Sequence, residues 1–344
     1  MATRPCGLRR LSLAGYPRRR WARNHTQKCI MDNGAKMELA ERCHAALAGI
    51  AVGDALGKMT EGYWPPEIRL RYGGRVETFL PPQQPHSSSV WAYAEVTDDT
   101  RFTLLTAESI IACGKVDARD IIRKILARPI KGWPGWNEFT QKAETGEKDT
   151  RSGNGAPMRV APIGILHSPA RLRNIIRDVE QACNCTHNTR SALSAACAIA
   201  VAFSAALEGF DKKDLLEATI EAASLGNQLG EDDLCPDVAR RLQWVSKNIE
   251  KEKNGLRGWM NPGFRAWEGA TFALALVMLY DSAKDAILAA VNEGGDADSI
   301  ASMAGGIVAA RNPDTLPAEW VDIVKRENDL DFAPLAEQLV ALRR

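Results

Sequence analysis

The stretch ELAERCHAALAGIAVGDAL, residues 38–56, decides the fold. Its apolar residues Leu39, Cys43, Ala46, Leu47, Ile50 and Ala51 recur at steps of three and four, the period of one helix face. Further along, residues 98–113, the Ala-rich runs near 188–208 and 213–225, and the segments at about 267–281 and 298–311 also read as helices. Ala is the best helix former and leaves room for close helix–helix packing. No alternating apolar–polar run of useful length and no internal repeat appears. The expected fold is all-α, a single compact multi-helix domain over residues 37–344.

Between these helices lie three stretches read as loops. Residues 62–95 are rich in Pro, Gly and Ser, and a surface loop of that length is expected to be functional. Trp133-Pro134-Gly135-Trp136 punctuates a second, and residues 150–159 form a Gly-rich third. Tyr63, Trp64, Trp133 and Trp136 lie in loops, where they either pack or stack against a base.

The net charge of +1 conceals an asymmetry. Nine Lys/Arg against one acid, Asp32, make residues 1–36 +8, which leaves −7 for the rest. The body is acidic and does not read as a nucleic-acid surface. Residues 1–36 lack hydrophobic periodicity and read as a basic, disordered extension. It is a transit peptide, an arm for an acidic partner, or an upstream extension of a frame that starts at Met31 or Met37, the last being preferred. The eight cysteines show no metal-ligand spacing, since Cys183 and Cys185 form a CxC unanswered by a second pair. Cys43, Cys113 and Cys197 sit in apolar helical runs and are expected to be buried. A reducing compartment fits, so the cytoplasm is expected, with mitochondrial targeting by residues 1–36 as the alternative. No apolar run of about 18 residues is read, hence no membrane span.

Two short segments carry the chemistry: Thr97-Asp98-Asp99-Thr100, and Asp296-Ala297-Asp298-Ser299 after Gly294-Gly295. Each places two carboxylates and a hydroxyl at the start of an apolar helix. Capping alone explains one such oxygen, because Thr and Asp are favoured N-caps and acids suit the helix dipole. Three oxygens per segment exceed that need, and hard cations such as Mg²⁺ take carboxylate, hydroxyl and water oxygens. Gly53-Asp54-Ala55-Leu56-Gly57 surrounds a third acid with small residues. There Gly57 can be a helix stop and Glu61, seven residues after Asp54, a surface acid. Ser152-Gly153-Asn154-Gly155-Ala156-Pro157-Met158-Arg159 is either a tight turn or a nest of N–H groups for an anion such as a diphosphate. It is not a Walker A loop, because no Gly-Lys-Ser/Thr follows. His187, at the start of an Ala-rich helix, is by itself a cap or a core contact.

Taken in order, Gly-Asp-Ala-Leu-Gly with Glu61, Thr-Asp-Asp-Thr, Gly-Asn-Gly-Ala-Pro-Met-Arg, Thr-His and Gly-Gly-Asp-Ala-Asp-Ser resemble the ADP-ribosylglycohydrolase family over about residues 40–312. The resemblance implies an all-helical fold with a binuclear Mg²⁺ cleft, Mn²⁺ being a substitute. It implies metal ligands at Thr97, Asp98, Asp99, Asp296, Asp298 and Ser299, with Ser299 keeping a hydroxyl where Thr is frequent. It places Glu61 beside the metals as acid/base, with Asp98 and Asp298 also catalytic. Gly153, Asn154, Gly155 and His187 would line the ADP-ribose pocket, and Trp133 and Trp136 are candidates to stack on adenine. The implied activity is metal-dependent cleavage of the glycosidic bond in an ADP-ribosylated protein, arginine-linked first. Serine-linked or small-molecule ADP-ribose conjugates are the close alternative. An immunity protein that reverses and blocks a toxin, or a non-catalytic ADP-ribose reader, are the distant ones, and the complete acid set argues against the reader. The chain is expected to act as a monomer, with no nucleic-acid or membrane partner.

Overall fold

The computed structural model describes residues 33–81, 91–128, 148–252 and 256–344. Among these, the regular elements are α1 (Asn33–Gly57), α2 (Pro65–Tyr72), α3 (Asp98–Cys113), α4 (Ala118–Ala127), α5 (Ala161–Leu166), α6 (Leu172–Cys183), α7 (Arg190–Leu207), α8 (Lys212–Gly226), α9 (Val238–Glu252), α10 (Leu256–Trp259), α11 (Ala266–Leu279), α12 (Ala283–Glu293), α13 (Ala297–Arg311), α14 (Ala318–Asn328) and α15 (Ala333–Leu342), with three single 3₁₀ turns. Extended pairing among the described residues is limited to isolated bridges, such as Thr150 with His187 and Gly153 with Arg265. The all-α reading holds, as do the helices expected from 38, 98, 188, 213, 267 and 298.

The core is organised around α7, where every residue from Ser191 to Leu207 is buried. Such a helix is apolar all round because it is wrapped by neighbours on every side, here α5, α6, α8, α11 and α13 among them. The absence of an apolar run near 18 residues is therefore corrected. Arg190–Leu207 is long and apolar enough to cross a membrane, but 94% of it lies inside the protein. Its first turn is closed by Thr189, whose hydroxyl accepts from Ala192 N–H, and Asp117, Asp211 and Ser282 do the same for α4, α8 and α12.

The packing that positions the site is between α1 and α13. Gly49, Gly53 and Gly57 repeat every fourth residue on α1 and face Gly305, Ala301 and Ala297 of α13. A Cβ at Gly49 would stand 2.8 Å from the Gly305 carbonyl oxygen, and at Gly53 and Gly57 it would overlap the carbonyls of Ala301 and Ala297. The two backbones thus touch along their length. That close approach, more than helix termination, is what Gly57 provides.

Three expectations change. The long loop at 62–95 contains α2, which starts on Pro65-Pro66 with Glu67 accepting from Trp64 N–H (2.7 Å) and stops at Gly73 in the left-handed region. Cys43 and Cys197 are buried, but Cys113 ends α3 and is exposed. Helices α4, α5, α6, α9, α10, α12, α14 and α15 have no counterpart among the helices expected from periodicity. The 1–36 extension lies outside the described residues up to residue 32, and so do Trp133 and Trp136.

Candidate active site

The C-terminal end of α1 meets the N-terminal ends of α3 and α13. Asp54, one turn before the end of α1, is fully buried. Its Oδ2 accepts from the backbone N–H of Thr97 (2.9 Å) and Thr100 (3.0 Å) and from the Thr100 hydroxyl. A residue 43 positions upstream therefore satisfies the opening turn of α3. Thr97 completes the cap, its hydroxyl accepting from Asp99 N–H at 3.3 Å. With the backbone donors met by Asp54 and Thr97, Asp98 and Asp99 are left available for other work.

The second cluster is held differently. Gly294 and Gly295 take φ of 66° and 69°, a conformation costly for side-chain-bearing residues, and a Cβ on either would strike the carbonyl of Tyr63 or Pro262. Gly62 N–H donates to Gly295 O (2.7 Å), Gly295 N–H to Tyr63 O (3.1 Å) and Asp296 N–H to Pro262 O (2.8 Å). This clamp presents Asp296 and Asp298, both buried. Asp298 Oδ1 accepts from Ser299 N–H at 2.9 Å, and Ser299 is buried beside it.

Carboxylate oxygens of Asp54, Asp99 and Asp298 lie within 4.8 Å of one another, and so do those of Glu61, Asp296 and Asp298. Asp298 belongs to both groups, so the two sequence clusters form one site. Asp98 belongs to neither group and is partly exposed at the rim. Crowding shows in the titration of the acids. Burial, then Asp298, pushes Asp54 and Glu61 up to about 7, against the Thr100 and Thr97 hydrogen bonds for Asp54 and Lys58 for Glu61. Burial and Asp298 also raise Asp98, and hold Asp99 and Asp296 well above the ordinary carboxylate range. Asp54 Oδ1 and Asp99 Oδ1 are buried and have no hydrogen-bond partner. Buried charges of one sign with orphaned oxygens need a counter-ion, and an all-oxygen donor set suits a hard divalent cation.

Glu61, held just beyond α1, is partly buried; its carboxylate pairs with Lys58, whose Nζ is also 3.6 Å from Asp298 Oδ2. Lys58 lies in no motif of the sequence. The Gly-rich loop lies against the same acids. Asn154 donates from Nδ2 to Gly263 O (3.1 Å) and to Asp296 Oδ2, and from its backbone N–H to Phe264 O (3.0 Å). Asn154 is thus a bracket for Asp296, and its N–H is not free for an anion nest. A Cβ at Gly155 would stand 2.7 Å from the His187 ring, so Gly155 is small because the imidazole lies on it. His187 Nδ1 is 3.0 Å from the Thr186 hydroxyl, to which Arg159 also donates. Burial first, then Arg159 and Arg151, hold His187 well below its usual pKa, so the ring is neutral. Gly153 pairs with Arg265 at the loop's edge. Of the loop aromatics, Tyr63 is buried under the Arg71 guanidinium (4.3 Å), whereas Trp64 is exposed.

Buried carboxylates thus converge where three helices end or begin, beside a Gly-rich loop and a neutral histidine. The chain belongs to the ADP-ribosylglycohydrolase family, whose model matches residues 35–344, and it is a glycohydrolase enzyme. It is 30% identical over 333 residues to the uncharacterized protein YegU of Escherichia coli, covering 88% of this chain and 98% of that protein. It is 26% identical to an ADP-ribosylarginine hydrolase of Pseudomonas putida (88% of this chain, 81% of that protein) and 25% identical to the ADP-ribosyl-[dinitrogen reductase] glycohydrolase of Rhodospirillum rubrum (88% and 96%). A solved structure described as an ADP-ribosylglycohydrolase-related protein complex shares the fold, with a TM-score of 0.65 at 24% identity over 90% of this chain and 100% of that one.

Proposed function

We propose that this enzyme is a divalent-metal-dependent hydrolase that removes ADP-ribose from arginine-linked ADP-ribosylated protein. The observation that carries the metal requirement is the convergence of Asp54, Asp99, Asp296, Asp298 and Glu61 with orphaned, buried oxygens among them. The arginine linkage is supported by two similar proteins, the ADP-ribosylarginine hydrolase and the dinitrogen reductase glycohydrolase.

Asp54, Asp99 and Asp298 would hold one cation, and Glu61, Asp296 and Asp298 a second, with Thr97, Ser299 and Asp98 contributing at the edge. Mg²⁺ is the natural choice, with Mn²⁺ as a substitute, and such ions supply Lewis acidity and an anchor for ribose hydroxyls. The reaction breaks the bond between C1″ of the ribose and the guanidinium nitrogen. Water supplies the hydroxyl that ends on C1″ and the proton that ends on the arginine. As in glycoside hydrolysis generally, positive charge develops at C1″, and the surrounding carboxylates stabilise it. Glu61, held beside Asp298 and Lys58, is the carboxylate assigned to move a proton between the water and the leaving group. Asn154 fixes Asp296, while neutral His187, seated on Gly155, lines the ligand side of the Gly-rich loop.

A substrate panel tests the proposal: arginine-, serine- and ester-linked ADP-ribose, each with Mg²⁺ and with EDTA. Release of ADP-ribose from the arginine conjugate in Mg²⁺ alone is expected. Release that persists in EDTA overturns the metal reading, and turnover of the serine or ester conjugate alone overturns the linkage.

A further inference from the structure

The two acid groups differ in one respect that their composition hides. Lys58, the first residue after α1, pairs with Glu61, and its Nζ stands 3.6 Å from Asp298 Oδ2. Its ammonium also lies 4.5 Å from the centre of the Trp91 ring. Two of the three acids in the Glu61–Asp296–Asp298 group therefore already face a protein cation. Among the described residues, Asp54 and Asp99 pair with no Lys, Arg or His. The ammonium's ion pair with this group is through the shared Asp298, and its charge reaches Asp54 more weakly. A backbone bond from Lys58 N–H to Asp54 O (2.9 Å) fixes the base of the side chain, while its four-carbon stem leaves the ammonium able to swing.

We propose that Lys58 is a resident counter-cation of the Glu61–Asp296–Asp298 group, so that the two metal positions load unequally. The inference rests on the metal reading of the site given above. The Asp54–Asp99–Asp298 position, which has its ion pair with the ammonium only through the shared Asp298, fills against less competition. The Glu61–Asp296–Asp298 position fills only as the ammonium withdraws from Glu61, which its flexible four-carbon stem allows. Like charges at such spacing repel strongly in a partly buried site, so the second cation is expected to bind more weakly than the first by about tenfold or more. The same ammonium offsets carboxylate repulsion when no metal is bound. Lys58 thus acts as a positioning residue that stabilises the metal-free site and opposes its complete loading.

Calorimetric titration of the full chain with Mn²⁺, together with melting curves in EDTA and in saturating Mn²⁺, tests this with wild type, Lys58→Met and Lys58→Arg. Wild type is expected to show a tight and a weak equivalent. In Lys58→Met the weak equivalent should tighten about tenfold or more while the tight one barely moves, and Lys58→Arg should restore the weak class. Melting in EDTA should drop in Lys58→Met, and the deficit should shrink or reverse in Mn²⁺. A residue that only packs would lower both melts equally and leave both affinities alone, and that outcome overturns the inference. Two equal equivalents in wild type also overturn it while leaving the metal site intact. No Mn²⁺ uptake by wild type removes the metal reading and this inference together. If Lys58→Met does not fold in EDTA, purification in Mn²⁺ followed by titration of Lys58→Gln reads the same affinities.

Discussion

The clusters Thr97–Thr100 and Asp296–Ser299 look alike in sequence, yet the molecule supports them by opposite means. The first is a capped helix start: Thr97 and the remote Asp54 accept its N–H groups. The second has no side-chain cap, for Asp296 sits at the N-cap without bonding the helix. It is gripped from outside by the Pro262 carbonyl and the Asn154 amide, behind a left-handed Gly-Gly turn. In the first cluster the capping is done by Thr97 and Asp54, which spares Asp98 and Asp99; in the second no cap is made and the acids are held by neighbouring loops. The difference teaches that similar motifs can divide labour, one anchoring the site and the other supplying its shared member, Asp298.

The sharpest way to break that division is Asp298→Ala. Asp298 belongs to both acid groups, so turnover of the arginine conjugate should fall by about 10²–10⁴-fold or more, the scale of a lost catalytic group. Its melting temperature in EDTA should hold or rise, because removing one acid relieves repulsion. A large loss of stability in EDTA would make Asp298 a structural acid instead.

Next comes Gly53→Ala. The new methyl would overlap the Ala301 backbone carbonyl, which a rotamer change cannot relieve, so α1 and α13 must part. Overpacking of this kind costs about 1–3 kcal/mol, occasionally more, and it would also move Asp54 away from Asp298. Denaturant unfolding should show the loss. If stability stays at the wild-type value, the close approach of the two helices is not what holds the first cluster to the second.

Asp54→Ala should separate anchoring from presentation. It leaves the N–H groups of Thr97 and Thr100 and the Thr100 hydroxyl buried without their acceptor, at about 1–3 kcal/mol for each group that stays unpaired. The matching change in the second cluster, Asp296→Ala, strands only one Asn154 contact and should destabilise less. Equal destabilisation by the two variants would erase the contrast.

The smallest expected effect is a pH dependence with two signs. Asp54 and Glu61 are pushed up to about 7 in the folded state, and Asp99 and Asp296 lie well above the ordinary range. A raised folded pKa gives stability that is complete below the unfolded value near 4 and is lost as pH rises through the folded value. In EDTA the protein should therefore weaken between about pH 4 and pH 7, and Mg²⁺ should cancel the slope. Asp178 behaves oppositely. Burial raises it, but the hydrogen bond with His167 (2.7 Å) and Arg177 outweigh burial and hold it below its usual value. Its contribution is present above the unfolded pKa and is lost as pH falls through the folded one. Unfolding curves of wild type and Asp178→Asn across the acid range should converge at low pH. An EDTA profile that rises toward pH 7 would mean that the cluster carboxylates are not crowded.

What the sequence determined by itself was periodicity and short motifs, because both are local. The three- and four-step pattern of Leu39, Cys43, Leu47 and Ile50 gave α1, and the two hydroxyl–carboxylate clusters stood out by their density of oxygen. Helices such as α6, α12 and α14 went unread, although the structure buries Ile175, Val179, Ile287 and Trp320 from them. What only the tertiary structure decided was which acids meet and what each is tied to. Asp54 in the sequence is an acid near a helix end, and it becomes the anchor of α3 only because glycines at 49, 53 and 57 let α1 lie against α13. Lys58 has no motif at all, since a lysine after a helix is ordinary until folding places it beside Glu61 and Asp298. Helical propensity and capping act over a few residues along the chain. The repulsion of buried carboxylates, and the cation that offsets it, depend on distances through space between residues up to 244 positions apart in number, Asp54 to Asp298, which no local pattern encodes.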